Sequence, residues 1–182
     1  MITARIDNLF SQEEIDHINS VALDNPTIDT NLGRLQGGQP GLSPYTCKRL
    51  TDIARSLSGL PLGLEHSMTV EYSNLYGKPN LPPHFDGDTN DLIINIQLKS
   101  NTVWKMGLNT EVYALNDNSA LIFNANKEVH WRVHKDFQDG EYVRMMFVRF
   151  HNEEKRSDYS YQRLSQDDPI FRDAMVLRDS LR

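Results

Sequence analysis

Pro83-His84-Phe85-Asp86 decides how this chain is read. On a strand, residues i and i+2 share a face, so His84 and Asp86 project together and can grip one metal ion. A second histidine from a neighbouring strand completes a 2-His-1-carboxylate set. Such a set suits non-heme Fe(II) and leaves coordination positions open for co-substrates. His130 is the histidine this reading assigns, and Arg144 beyond it is a cation suited to an acidic co-substrate.

Context separates this motif from its competitors, His134-Lys135-Asp136 and His151-Asn152-Glu153. His84 follows Leu81-Pro82-Pro83 and precedes the strand-like run Leu92-Ile93-Ile94-Asn95-Ile96-Gln97-Leu98, with room for more strands before His130. His134 and Asp136 have only His151 downstream, and Asp136 runs into the turn-like Phe137-Gln138-Asp139-Gly140. The bland reading of His84 and Asp86 is a surface histidine and a loop aspartate.

At 182 residues the chain has the length of one domain whose core needs no staples. The expected division is helical support and loop over 1–66, a β core over 67–151, and a tail with a helix over 152–182. The lone Cys47 excludes an intramolecular disulfide and suits a reducing, cytoplasmic setting. No apolar run approaches the roughly 18 residues of a membrane span, and Met1-Ile2-Thr3-Ala4-Arg5-Ile6-Asp7 lacks a signal-peptide pattern, so no membrane is expected as partner. A net charge of −6 gives no general attraction to phosphate backbones and disfavours nucleic acid.

Ser11 and Glu14 form a capping-box pattern ahead of Ile15, Ile18 and Val21-Ala22, predicting a helix to about Leu23. Ser43-Pro44 opens a second helix, with Leu50, Ile53-Ala54 and Leu57 on its buried face. Between them residues 24–42, rich in Gly and Pro, read as a mobile loop over the mouth of the site. From Ser67 short β runs alternate with turns, near 67–73, 82–86, 92–99, 102–107, 111–115, 119–124, 128–133 and 142–150. Closely spaced strands in this number predict a mainly β fold with flanking helices, a double-sheet jelly roll. Asp168-Pro169 starts a last helix that carries Ile170, Ala174 and Leu177 or Leu181.

This layout resembles the Fe(II)/2-oxoglutarate-dependent dioxygenases, particularly the prolyl-4-hydroxylase-like branch and its relatives in phages and bacteria. The resemblance runs from about Met68 to His151. It rests on Tyr72 and Tyr76 ahead of Pro83-His84-Phe85-Asp86, then Leu121-Ile122-Phe123, His130-Trp131-Arg132-Val133 and Gly140-Glu141-Tyr142-Val143-Arg144. The opening Ile6-Asp7-Asn8-Leu9-Phe10-Ser11 is similar to the start of that branch. The resemblance implies a double-stranded β-helix, hydroxylase activity, and Fe(II), 2-oxoglutarate and O2 as cofactor and co-substrates. It implies that His84, Asp86 and His130 hold the metal and that Arg144 forms a salt bridge with the distal carboxylate of 2-oxoglutarate, a guanidinium fork matching a carboxylate. Tyr72 or Tyr76 would add a hydroxyl donor. The interval from His130 to Arg144 is a few residues longer than the branch's usual one, which His134 fits better; His130 is preferred because it lies nearer Phe123 and its apolar strand. The implied substrate is a small molecule or peptide, with a peptidyl or amino-acid substrate favoured by analogy.

Arg149 competes with Arg144. The two have opposite parity on one strand, Arg144 with Met146 and Val148, Arg149 with Met145 and Phe147, so only one faces the barrel interior. Both sets are apolar, and periodicity leaves the facing open. The branch places its cation early in this strand, which favours Arg144 and turns Arg149 to solvent. Arg132 is a secondary candidate for substrate or the co-substrate's other carboxylate, Trp104 and Trp131 for walls of a substrate pocket or plain core, and Asn95 and Asn124 for inward hydrogen bonds to an organic acid or to backbone. Two other classes also fit a jelly roll: a cupin-like metalloprotein (isomerase or sugar-binding module) without oxygen chemistry, and a structural viral jelly roll that binds no iron.

Overall fold

The computed structural model describes residues 3–87, 90–155 and 168–181. In chain order its elements are β1 (Ala4–Asp7), α1 (Gln12–Val21), β2 (Thr27–Asp29), β3 (Arg34–Gln36), α2 (Pro44–Ser58) and β4 (Leu62–Tyr72). There follow β5 (Leu92–Ser100), β6 (Met106–Leu108), β7 (Glu111–Tyr113), β8 (Ser119–Phe123), β9 (His130–Arg132), β10 (Val143–Asn152) and α3 (Pro169–Ser180). Seven strands form one antiparallel sheet in the order β1-β8-β5-β10-β4-β3-β2, and a smaller sheet runs β7-β6-β9. The segment around His84 extends the smaller sheet through a bridge to His130. The result is the expected jelly roll with flanking helices.

The facing of β10 follows from its neighbours. Met146, Val148 and Phe150 join a core shared with Ile15 and Ile18 of α1 and Leu50 and Ala54 of α2. Val143, Met145 and Phe147 join a second core between the sheets, with Tyr72, Phe123, Trp104 and Met106. Both faces of this central strand are buried, which is why both of its side-chain sets are apolar. Fully burying each such side chain stabilises by up to about 1.5–3 kcal/mol.

The helices start where their caps predict. The Ser11 hydroxyl accepts from the Glu14 N–H, and the Glu14 carboxylate accepts from the Ser11 N–H, closing the capping box. Ser43 and Asp168 cap α2 and α3, each followed by a proline in the first turn. Gly59, at φ 67°, ends α2 in the left-handed region. α3 lies on the outer face of the smaller sheet, where Ile170, Phe171, Ala174 and Leu177 meet Phe85, Val129 and Trp131.

Residues 24–42 are not a free loop. β2 and β3 form a hairpin that pairs with β4, Leu35 opposite Glu71. Its turn is closed by Asp29, whose carboxylate accepts the N–H groups of Asn31 and Leu32, and by Gly33 at φ 59°. The Gly37 N–H bonds the Thr69 carbonyl at 2.9 Å, anchoring the segment further. β4 begins at Leu62, earlier than expected, because a bulge opposite Arg149 and Phe150 lets it follow β10 to its end. Of the expected tail, 156–167 lie outside the described residues. No described helix is long and apolar enough to cross a membrane.

Candidate metal centre

Two large aromatics on the outside aim the polar residues inward. Phe85 and Trp131 both pack into the cluster under α3. Alternation along each strand then turns their neighbours, His84 and Asp86 on one side and His130 and Arg132 on the other, into the space between the sheets. The two strands are joined at the site itself: the His84 N–H donates to the His130 carbonyl at 3.1 Å, and the reverse bond measures 3.0 Å. Gly107 completes the arrangement from below. A Cβ there would lie 2.0 Å from the Trp131 ring, so only glycine lets the indole sit flat.

His84, Asp86 and His130 each offer a ligand atom, and all three atoms lie within 4.8 Å of one another. The His130 Nε2 stands 3.5 Å and the His84 Nε2 3.8 Å from the same Asp86 oxygen. The opposite ring nitrogens are fixed: His84 Nδ1 donates to the Pro82 carbonyl at 2.8 Å and His130 Nδ1 to the Glu128 carbonyl at 3.1 Å. Each Nε2 therefore keeps its lone pair for a metal, the tautomer that outer contacts impose on metal-ligating histidines. Burial, the charge of His130 and that of Arg34 push His84 down to about 4, against the pull of the Pro82 carbonyl and Asp86. For Asp86, burial acts upward, but the neighbouring His130 and the charges of Arg149 and His84 take it down to about 2. At neutral pH the set offers an unprotonated His84 Nε2 and an ionised Asp86 carboxylate beside the His130 Nε2, donors that suit a divalent cation.

Below the triad, the interior has a polar floor. Arg132 follows His130 by two positions on the same face, roughly 6.6 Å further along the strand. Its guanidinium is fully buried, donating to the Trp104 carbonyl at 2.6 Å and to the Met145 sulfur at 3.4 Å, and stacked 5.1 Å over the Trp104 ring. Burial pushes its pKa down to about 10, which leaves it charged at neutral pH. Among the described residues no carboxylate pairs with it. Beside it the buried Tyr72 hydroxyl has no hydrogen-bond partner, and its ring meets Trp104 edge-on at 4.9 Å. A buried charge without a counter-charge is costly, and the Trp104 carbonyl and ring are what offset it within the described residues.

The other residues singled out in the sequence are spread differently. Arg144 faces the helices, not the interior: its guanidinium pairs with Glu71 at 2.7 Å and reaches Asn19 of α1. Tyr76 belongs to the same outer cluster, its hydroxyl donating to Glu71 at 3.0 Å. Neither touches the triad, because Glu71 and Arg144 lie opposite each other on the helix-side parity of β4 and β10. Arg149 has the interior parity, shared with Met145 and Phe147, and its charge acts on Asp86. The facing of β10 is thus the reverse of the expectation. His134 lies away from the triad, 3.6 Å from Asp179 of α3. Arg132 is legible in the sequence as a cation two positions from His130, on the same face of a strand.

The fold has solved counterparts. The chain superposes on a viral collagen prolyl hydroxylase from Paramecium Bursaria Chlorella virus-1, solved with 2-oxoglutarate, with a TM-score of 0.63 at 12% identity over 84% of this chain and 97% of that one. A Trichoplax adhaerens prolyl hydroxylase, solved with a hypoxia-inducible-factor peptide fragment, gives 0.62 at 14% identity over 88% of each chain. The α-ketoglutarate-dependent epimerase SnoN of nogalamycin biosynthesis gives 0.65 at 14% over 83% of this chain and 78% of that one. No family model and no curated protein matches the sequence. The likeness is one of fold: this chain has the double-stranded β-helix of non-heme iron, 2-oxoglutarate-dependent oxygenases.

Proposed function

We propose that this protein is an Fe(II)- and 2-oxoglutarate-dependent dioxygenase that hydroxylates an amino-acid, peptidyl or other small substrate. One observation carries the reading: a triad of two tautomer-fixed imidazoles and an ionised carboxylate opens onto an interior with an uncompensated guanidinium at its floor. His84, Asp86 and His130 would hold the iron, which together with 2-oxoglutarate and O2 supplies the oxidising power for attack on a C–H bond. The chain's own residues bind and orient. His84 and His130 present Nε2, and the Pro82 and Glu128 carbonyls keep their protons on Nδ1. Arg132 and Tyr72, rather than Arg144 and Tyr76, would take the far carboxylate of a short dicarboxylate. Ile93, Phe123 and Phe147 belong to the same buried apolar cluster as Tyr72 and Trp104, surroundings that would exclude water. A buried cation beneath the metal is what a dicarboxylate co-substrate requires, and on that ground Arg132 favours the oxygenase over a cupin-like isomerase.

The reading is tested by incubating purified protein with Fe(II), 2-oxoglutarate and O2 and measuring succinate. Slow succinate release without added substrate, abolished by Asp86→Ala, is the expected result. A metal-loaded protein that neither binds nor consumes 2-oxoglutarate contradicts it.

A further inference from the structure

We propose that Arg149 and His151 form an anion-binding subsite at the mouth of the metal centre, receiving a carboxylate or phosphate of the substrate to be oxidised. This rests on the oxygenase reading and names a substrate class for it: a small molecule that carries its own negative charge.

Arg149 and His151 are i and i+2 on β10, continuing the interior parity of Met145 and Phe147. Arg149 pairs with Ile93 of β5, which in turn pairs with Phe123, whose ring lies 5.0 Å from His130. It therefore sits in the layer of the metal ligands, four residues or roughly 13 Å along the strand from the Met145 that touches Arg132. The Arg149 Nε is buried without a hydrogen-bond partner, and no described carboxylate pairs with the guanidinium. His151 is 8% exposed, and neither of its ring nitrogens has a partner. Buried polar atoms left unsatisfied are uncommon in folded proteins and costly, and two residues in this state on adjacent same-face positions mark a place where a ligand supplies the missing acceptors.

The nearby charges are already committed. Asp86 faces the two histidines. Asp91 accepts from the Asn152 N–H at 2.6 Å. Arg34, whose charge also reaches His84, is spent on Asp29 at 3.2 Å. With Arg132 and Tyr72 at the floor for the co-substrate's far carboxylate, the cation at the mouth is free for the substrate's own anion.

The test uses acetate and inorganic phosphate as probes and the His151 imidazole NMR resonances as readout, in protein loaded with Zn(II) and 2-oxoglutarate. Saturable shifts are expected with at least one anion, weakened at least tenfold in Arg149→Gln and partly restored in Arg149→Lys. The affinity of Arg149→Gln for 2-oxoglutarate should stay within about threefold of wild type. If Arg149→Gln loses 2-oxoglutarate as Arg132→Gln does, the anion at the mouth is the co-substrate's and the proposal is overturned. It is equally overturned if protein that binds 2-oxoglutarate shows no saturable shift with either anion. Repeating the titration on metal-free protein separates the two ideas: anion binding at His151 in a chain that never binds 2-oxoglutarate would defeat the oxygenase reading and, with it, the assignment of this anion to an oxidised substrate.

Discussion

His84 and His130 are joined by a reciprocal pair of backbone hydrogen bonds, and their imidazoles lie 4.1 Å apart, both turned to one oxygen of Asp86. Residues 46 positions apart in sequence are thus held in register by the sheet itself. The ligand geometry is a property of the backbone before any metal arrives, the kind of rigid support that a precise site needs.

Gly107 should be intolerant of substitution. Gly107→Ala puts a methyl group into the Trp131 ring, and overpacking of this kind typically costs about 1–3 kcal/mol. Because Trp131 lies between His130 and Arg132 in sequence, the variant should also bind metal less tightly. Urea unfolding and a competitive metal titration measure the two effects. Wild-type values in both would mean that the indole does not set the strand's orientation.

Arg144→Ala should act on stability alone. It leaves the buried carboxylate of Glu71 without its guanidinium, a loss of about 1–3 kcal/mol in chemical denaturation. Metal affinity should be unchanged, since neither residue reaches the triad. A variant as stable as wild type but unable to bind Fe(II) would contradict this placement.

The metal-free protein should weaken as the pH falls. Folded His84 takes its proton only near pH 4, whereas an unfolded histidine takes it near 6.5, so between these values the unfolded chain binds more protons. The stability tied to this lowered pKa is complete above 6.5 and is lost as the pH drops through that window toward 4. Asp86 adds a second, more acidic window, between its ordinary 3.8 and about 2. Urea unfolding of metal-free wild type and His84→Asn at several pH values checks the first window. The variant's stability should fall less steeply, and parallel curves would mean that His84 titrates normally.

Much of this arrangement was legible in the sequence. The His84-Phe85-Asp86 alternation, with an aromatic between two polar residues, already encodes which side faces inward. The helix caps at Ser11, Ser43 and Asp168 were readable because each places a side-chain acceptor just ahead of an apolar periodic run. The facing of β10 was not, since a strand buried on both sides offers two apolar sets and no polar face to break the tie. Nor did the sequence separate Tyr72 from Tyr76: the first is on the interior parity of β4, the second in the turn beyond it, where it meets Glu71. The β2–β3 hairpin was hidden by strands of three residues each, too short for alternation to register.

Anaerobic titration of the Fe(II)-loaded protein with 2-oxoglutarate, followed by its metal-to-ligand charge-transfer absorbance, tests the central claim most directly. The account predicts a saturable band in wild type and in Arg144→Ala. In Arg132→Gln, losing one partner of a buried charge pair costs about 2–5 kcal/mol, so affinity should fall roughly 30-fold or more at about 1.4 kcal/mol per tenfold. A band that survives Arg132→Gln at wild-type affinity and disappears in Arg144→Ala would contradict it.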